Sequence, residues 1–454
     1  MTQQSASHQL LKMLQRPVTS IDRARAKLHL FDWFGCAIYA TKTAAGAVFN
    51  EYLKLNATGN VTCLNGQSRD LATAAFYNGA LGNIMEMDDV HRTSILHPGP
   101  VVIPAALAVA ESVNATMDDL LDAIINGYEA VIRLGQSVGL SHYQYYHNTS
   151  TCGVLGAAVA SCHLLKLNQQ QTLSAIGNAL STTGGLWQMR HEEVFTKQWH
   201  NAQACRSGVM AAQLASCGLT GPVSIIDGEQ GLLNATSFDA NPAAISAPHK
   251  TWLIHDCSFK PWPACRHAHP AMDALKELLK QHPVDFTQIE KIQVFTYSDA
   301  IKFCDRPTPA TDLQAKFSIQ HALAAWLVLG EPKLEHYQKH NYAENEGANH
   351  DLICLRNNIQ VQENPQISKS YPDEFGAKIT ITLSTGQQLS TQIKDTLGDP
   401  NKPMSDLQIS NKANYLMQQA GIQPSRQQQL NKLLTEPNMT LTAFITAINE
   451  AFHD

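Results

Sequence analysis

A chain of 454 residues with a net charge of −6 has room for more than one domain and lacks the overall basic balance of a nucleic-acid binder, so no nucleic-acid partner is expected. Only 16% of the residues are charged, below the usual quarter, so much of the helix surface is expected to face other protein. The ten cysteines form no C-x-x-C pair, the first residues lack the basic-then-apolar order of a signal peptide, and no apolar run reaches membrane-spanning length; the expectation is a cytoplasmic protein with reduced thiols and no membrane partner.

In chain order, Ser20 to about Tyr39 carries an apolar face through Leu28, Leu30, Phe31, Trp33 and Phe34, which predicts a helix. A second helix is expected from about Asp70 to Met85, and a third, rich in small residues, after Pro104. Thr116 with Asp119, and Asn168 with Gln171, have the spacing of capping boxes that open further helices. The run HNAQACRSGVMAAQLASCGL adds another, and everything to about Lys260 reads as helical. The character changes after Pro263. Ile289 to Thr296 alternates as a strand, Asn358 to Val361 begins another, and Lys378–Leu383 with Leu389–Ile393 around Gly386 predicts a hairpin, with a helix over Ala315 to Leu329. After residue 400 the pattern is helical again. The fold class expected is mainly α with an α+β second domain: residues 1–262 and 400–454 forming the helical domain, residues 263–399 the α+β part.

The densest chemistry lies in MEMDDVHRTSILHPGP. Asp88 and Asp89 can orient an imidazole, His91 and His97 can hold or move a proton, and Arg92 can bind a carboxylate, while Pro98-Gly99-Pro100 fixes the backbone that follows. Lys197, in TKQWH beside His200, sits near a helix start where burial or cationic neighbours favour a general base; the plainer alternative is a solvated lysine balanced by Glu192 and Glu193. Tyr145, Tyr146 and His147 precede a helix start that can bind an anion or form an aromatic turn. In KPWPACRHAH, Lys260, Arg266, His267 and His269 suit an anion clamp or an inter-domain polar bridge. Neither this segment nor the Asp88 loop has the spacing of a defined metal motif, and no metal is expected.

Taken together, EMDDVHRTSILHPGPVVIPAALA, HNTSTCGVLGAA, TKQWH, GLTGP, KPWPACRHAHPAMDA, AKFSIQHALAA and YPDEFGAKITITLSTG resemble the MmgE/PrpD family over nearly the whole chain. The resemblance implies a large helical domain with a smaller α+β lid, a homodimer, and a cofactor-free enzyme acting at a carbon next to a carboxylate of a small di- or tricarboxylate. The family includes 2-methylcitrate dehydratases, cis-aconitate decarboxylases and iminodisuccinate epimerases. Its decarboxylase-like members place an acid and a histidine where Asp88 or Asp89 and His97 stand, a histidine at His147, and lysines at Lys197 and Lys260. This chain has Cys265 where that branch has a histidine, and its loop looks most like the epimerase branch. The roles expected from the residues themselves are proton transfer by Lys197 and Tyr145 from opposite faces, with His97 the alternate, while Asp88 and Asp89 orient His91 or His97 or tune Lys197. His91, Arg92, His147, His200, Lys260, Arg266 and His267 are expected to bind substrate. Dehydratase, decarboxylase and non-catalytic carboxylate-binding readings stand beside the epimerase.

Overall fold

The computed structural model describes residues 4–343 and 349–452. The chain divides into two compact units, Met1–Cys257 with Ser405–Asp454, and Ser258–Met404; the second therefore begins and ends a few residues either side of the 263–399 expected from composition. The class is mainly α with an α+β second part.

In the first unit the principal helices are α1 (Ser20–Ala40), α2 (Leu71–Leu81), α3 (Gly99–Ser112), α4 (Met117–Ser137), α5 (Gly153–Leu164), α6 (Gln169–Ser181) and α7 (Thr196–Ser216). In α5 every residue except His163 is buried, and α3, α4, α6 and α7 pack around it. Small residues make that possible. A Cβ built on Gly127 of α4 would stand 2.4 Å from Val102 Cγ1 and 2.9 Å from the Gly156 carbonyl of α5, so these helices cross with nothing between their backbones. Dense packing of short side chains accounts for the low charged fraction: there is little helix surface left for solvent.

Both capping boxes form. The Thr116 hydroxyl accepts from Asp119 N at 3.0 Å, and the Asn168 amide oxygen from Gln171 N at 3.0 Å. Three expectations need correction. Helix α2 stops at Leu81 rather than Met85, because Gly82 and Asn83 end it and release residues 82–85 into the loop. Helix α3 starts at Gly99 and contains Pro104, which lacks the N–H that would bond the Pro100 carbonyl; the Cys205 thiol approaches that oxygen at 3.6 Å and the Val101 oxygen at 3.0 Å. Residues 217–256, expected to be helical, hold only short turns such as Leu232–Thr236, Pro242–Ser246 and Leu253–Asp256.

The second unit holds α8 (His269–Gln281), α9 (Ile319–Leu329) and strands β1 (Ile289–Thr296), β2 (Ile359–Glu363), β3 (Ala377–Leu383) and β4 (Gln388–Ile393) in the order β2-β1-β3-β4. β1 runs parallel to β2 and antiparallel to β3, with Val294 opposite both Val361 and Ile379. Alternation puts Ile292, Val294, Ile379 and Ile381 on one face, where they share a core with Met272, Leu275 and Leu278 of α8 and Leu323 of α9. The helix expected over Ala315–Leu329 is broken: Asp312–Lys316 ends, and Ser318 caps α9 by accepting from His321 N at 3.0 Å.

α10 (Asp406–Gln419), the first of three helices among the described residues that follow the second unit, packs on α1 within the first unit, where a Cβ on Gly35 would stand 2.7 Å from Ala413 Cα. Gly127→Val is expected to destabilise the protein by about 1–3 kcal/mol or more through overpacking. Urea unfolding checks this, and wild-type stability in the variant would contradict the close α4–α5 crossing.

Candidate active site

The loop between α2 and α3 is buried over residues 82–91, so its polar groups must find partners inside the protein. Asp89 supplies the main anchor. Its carboxylate receives His29 Nδ1 at 2.7 Å, the Tyr128 hydroxyl at 2.7 Å and the Gly99 amide at 2.9 Å, which ties α1, α4 and the start of α3 to one side chain. Burial pushes the Asp89 carboxyl up, yet the hydrogen bonds from His29 and Tyr128 hold it below its ordinary value. Further along, Asn148 Nδ2 donates to the Ser94 carbonyl at 3.0 Å and His97 N to Thr149 Oγ1 at 3.0 Å, fixing the loop to the short Asn148–Thr151 helix.

Two acceptors meet one nitrogen of His97. Asp88 Oδ2 lies 2.9 Å and the Asp89 carbonyl 2.8 Å from His97 Nδ1, so that nitrogen carries a hydrogen, and Nε2 is the ring position left to gain or lose a proton. Asp88 is itself held by Asn83, whose amide nitrogen stands 2.7 Å from both carboxylate oxygens. An imidazole oriented by a carboxylate is an arrangement that general-base chemistry can use.

Lys197 occupies the first turn of α7, and its Nζ lies 2.5 Å from Glu86 Oε1. The ion pair offsets the unfavourable charge at a helix start. Glu86 has φ +55°, a left-handed conformation uncommon for a glutamate, and strain of this kind gathers at functional loops. His200 follows Lys197 by three residues on the same side of α7, and its Nδ1 lies 3.3 Å from His147 Nδ1. His147 is buried, 4.7 Å from Trp187 between ring centres, and its Nε2 has no hydrogen-bond partner among the described residues. Burial first, then the charges of Lys197, His200 and His97, hold the His147 imidazole well below its ordinary value, with Asp88 opposing. His97, Lys197, His200 and Asp88 thus share one electrostatic neighbourhood around a neutral His147. A cavity of about 410 Å³ opens beside His200, lined by Ser150, Thr183, Gly185, Trp199 and Gln203 among others; of this group only His200 reaches it.

Other expectations change. Tyr145 is 60% exposed at the end of the Gly139–Tyr145 helix and is not brought to this cluster; a helix that ends at the surface carries its last side chain outward. Asp89, expected to orient His91 or His97 or to tune Lys197, has its carboxylate oxygens taken by His29, Tyr128 and the Gly99 amide, so the histidine it orients is His29. His91 does not shuttle a proton near neutrality: burial, then Arg92, pushes it down to about 3, and its Nδ1 takes the Ser94 amide at 3.3 Å and meets the Ser94 hydroxyl at 2.8 Å. Arg92 is half-buried beside it. In the second unit, Lys260 is wholly buried, and Arg266 pairs with Asp399 and donates to the Leu397 carbonyl at 3.2 Å. His267 stacks on Phe303 and Phe375, with its Nδ1 2.8 Å from the Tyr297 hydroxyl. Arg266 and His267 therefore act as internal struts of that unit. Sequence reasoning missed Glu86, Asn83, His29 and Tyr128. Glu86 lies two residues before Asp88 in the same loop, and nothing in its spacing distinguishes it from a solvated helix end.

Two family models match the chain: the MmgE/PrpD N-terminal domain over residues 15–244 and the MmgE/PrpD C-terminal domain over residues 262–436. The chain belongs to the MmgE/PrpD family. It is similar to a cis-aconitate decarboxylase from Homo sapiens, 26% identical over 413 residues that cover 86% of this chain and 82% of that protein. The Mus musculus cis-aconitate decarboxylase matches at 26% over 416 residues, 86% and 81% of the two chains. A cis-aconitate decarboxylase-like protein, oryM, from Aspergillus oryzae matches at 28% over 295 residues, 59% and 60% of the two chains. No helix among the described residues is long and apolar enough to cross a membrane.

The buried imidazoles set a pH dependence of stability. His29 is held at about 4 and His91 at about 3, both chiefly by burial, whereas an unfolded chain protonates them below about 6.5. The unfolded state then binds more protons, so stability is expected to be lost as pH falls from 6.5 toward 4. The depressed Asp89 carboxyl acts in the same direction at lower pH. Urea unfolding at pH 7.5 and pH 5 measures the slope, and His91→Asn, which keeps an acceptor for the Ser94 amide, should flatten it.

Proposed function

We propose that this chain is an MmgE/PrpD-type lyase that builds up negative charge at the carbon next to a carboxylate of a small di- or tricarboxylate, by removing a proton in a dehydration or by releasing carbon dioxide in a decarboxylation. The observation carrying this reading is the gathering of two separately paired proton-handling groups, His97 with Asp88 and Lys197 with Glu86, around His147. His97 Nε2 takes the C–H proton. The electron pair left behind enters the adjacent carboxylate, where the Lys197 ammonium stabilises the developing charge. His147 and His200 share one proton between their Nδ1 atoms, and when His200 supplies it the His147 Nε2–H is free to donate to a substrate oxygen. In a dehydration the pair then expels hydroxide, which leaves as water with a proton from Lys197. In a decarboxylation the C–CO2 bond supplies the pair, and the carbon takes its proton from one of these groups. The two mammalian relatives, named for cis-aconitate decarboxylation, favour the lyase outcome.

A second reading is epimerisation of an iminodisuccinate-like substrate, with one group removing and the other returning the proton. It is favoured by the separate carboxylate partner of each group, by the SILHPGPVVIP loop and by Cys265 in place of a histidine. Incubation with cis-aconitate, 2-methylcitrate and iminodisuccinate in deuterated water separates the outcomes. Release of carbon dioxide or formation of an alkene supports a lyase, and inversion with deuterium incorporation supports an epimerase. No turnover of any of the three would leave a carboxylate-binding protein instead. Lys197→Ala and His97→Asn are each expected to lower kcat by about 10²–10⁴-fold; an undiminished rate in either removes that residue from the mechanism.

The homodimer implied by the family is part of this proposal. α7 exposes Trp199, Met210 and Leu214 along one side, with Phe195 just before it, an apolar stripe suited to a protein partner. Light scattering should give twice the chain mass, and Trp199→Lys with Leu214→Lys should halve it; a monomeric wild type would refute the assignment.

A further inference from the structure

We infer that Lys412, on helix α10, is a positioning residue for the Glu86–Asp89 segment, its ammonium locking the Met87 carbonyl against the Asp32 carboxylate. The inference rests on the function proposed above for His97 and Lys197. Lys412 is buried, with Nζ 2.7 Å from Asp32 Oδ1 and donating to the Met87 oxygen at 2.5 Å. Met87 stands between Glu86, the partner of Lys197, and Asp88, the partner of His97. A displacement of this one peptide would disturb both pairs together. The reach of Lys412 is set by the α1–α10 crossing: Gly35 lets Ala413 seat against α1, which brings the preceding residue of α10 opposite Asp32, one turn earlier on α1.

Charge makes the same demand as geometry. Asp32, Asp88 and Asp89 are all buried, and Asp32 is raised to about 6 by burial, with Lys412 opposing and Asp89 and Asp88 adding to the rise. Around them stand Arg25 and His29 of α1, Tyr128 of α4, and Glu86 and His97 of the loop. His29 is held at about 4 and is uncharged at neutral pH, so Lys412 is the cation bonded directly to the carboxylate beneath the loop. Clustered carboxylates raise one another, and a buried ammonium among them favours their ionised forms. Asp88, placed by this segment, holds the His97 Nδ1–H together with the Asp89 carbonyl, so a shift of the segment disturbs both acceptors at once.

The test is Asp32→Asn/Lys412→Met, which removes both charges together and leaves no unpaired buried ion. Two readouts are expected to move while the melting temperature stays within a few degrees of wild type. With cis-aconitate, 2-methylcitrate or iminodisuccinate, whichever the wild type converts, kcat should fall at least tenfold with KM changed less than threefold. In ¹⁵N-histidine spectra, which need no substrate, His97 should lose its Nδ1–H tautomer bias. An unchanged tautomer and a kcat within twofold of wild type would overturn the inference. Lys197→Ala distinguishes this from failure of the functional reading: full activity in that variant refutes the reading itself. If the double variant does not fold, Lys412→Arg keeps the charge but cannot place one ammonium between the two oxygens; it should lower kcat at least threefold, and wild-type kcat would count against the role.

Discussion

A single buried carboxylate, Asp89, holds the loop on which the candidate site depends. It receives one donor from α1, one from α4 and one from the backbone at the start of α3. A carboxylate taken out of water is costly unless hydrogen bonds replace its hydration, so three donors are the condition for its presence there. Once Asp89 is fixed, its neighbour Asp88 and its own carbonyl converge on His97 Nδ1. The two adjacent acids therefore divide the work, Asp89 securing the loop and Asp88 setting the tautomer.

The helical packing supplies the other half of the site. α5 is buried almost throughout and sits between α4, which carries Tyr128, and α7, which carries Lys197 and His200. Glycines and alanines at these crossings bring backbones near contact, so the positions of α4 and α7 are fixed by steric contact rather than by flexible side chains. Lys197 then meets Glu86 across a distance that a larger residue at a crossing would lengthen. Rigid helices and a pinned loop together give the preorganisation that the proposed chemistry requires.

The comparisons place the chain in the MmgE/PrpD family, and the segments that carried the resemblance contain the residues that the structure gathers: Asp88, His97, His147, Lys197 and His200. Tyr145 is the instructive failure. It stands two residues before His147, but it ends a helix at the surface, whereas His147 follows an extended turn into the core. Proximity along the chain gave no measure of direction. His91 fails for a different reason, since an imidazole titrates near neutrality only where water or a counter-charge reaches it, and the loop excludes water from this one.

From the sequence alone came the helical first part, the alternating strands of the second, the capping boxes and the loop rich in acids and histidines. These are local: hydrophobic period, cap spacing and residue chemistry are written within a few positions of one another. Only the tertiary structure decided that Glu86 pairs with Lys197, that the Asp89 carboxylate bonds His29, and that Lys412, more than three hundred residues further on, meets the Met87 carbonyl. Those pairings depend on which helix faces cross and how closely. That is set by the summed packing of many small side chains, not by any one stretch of the chain.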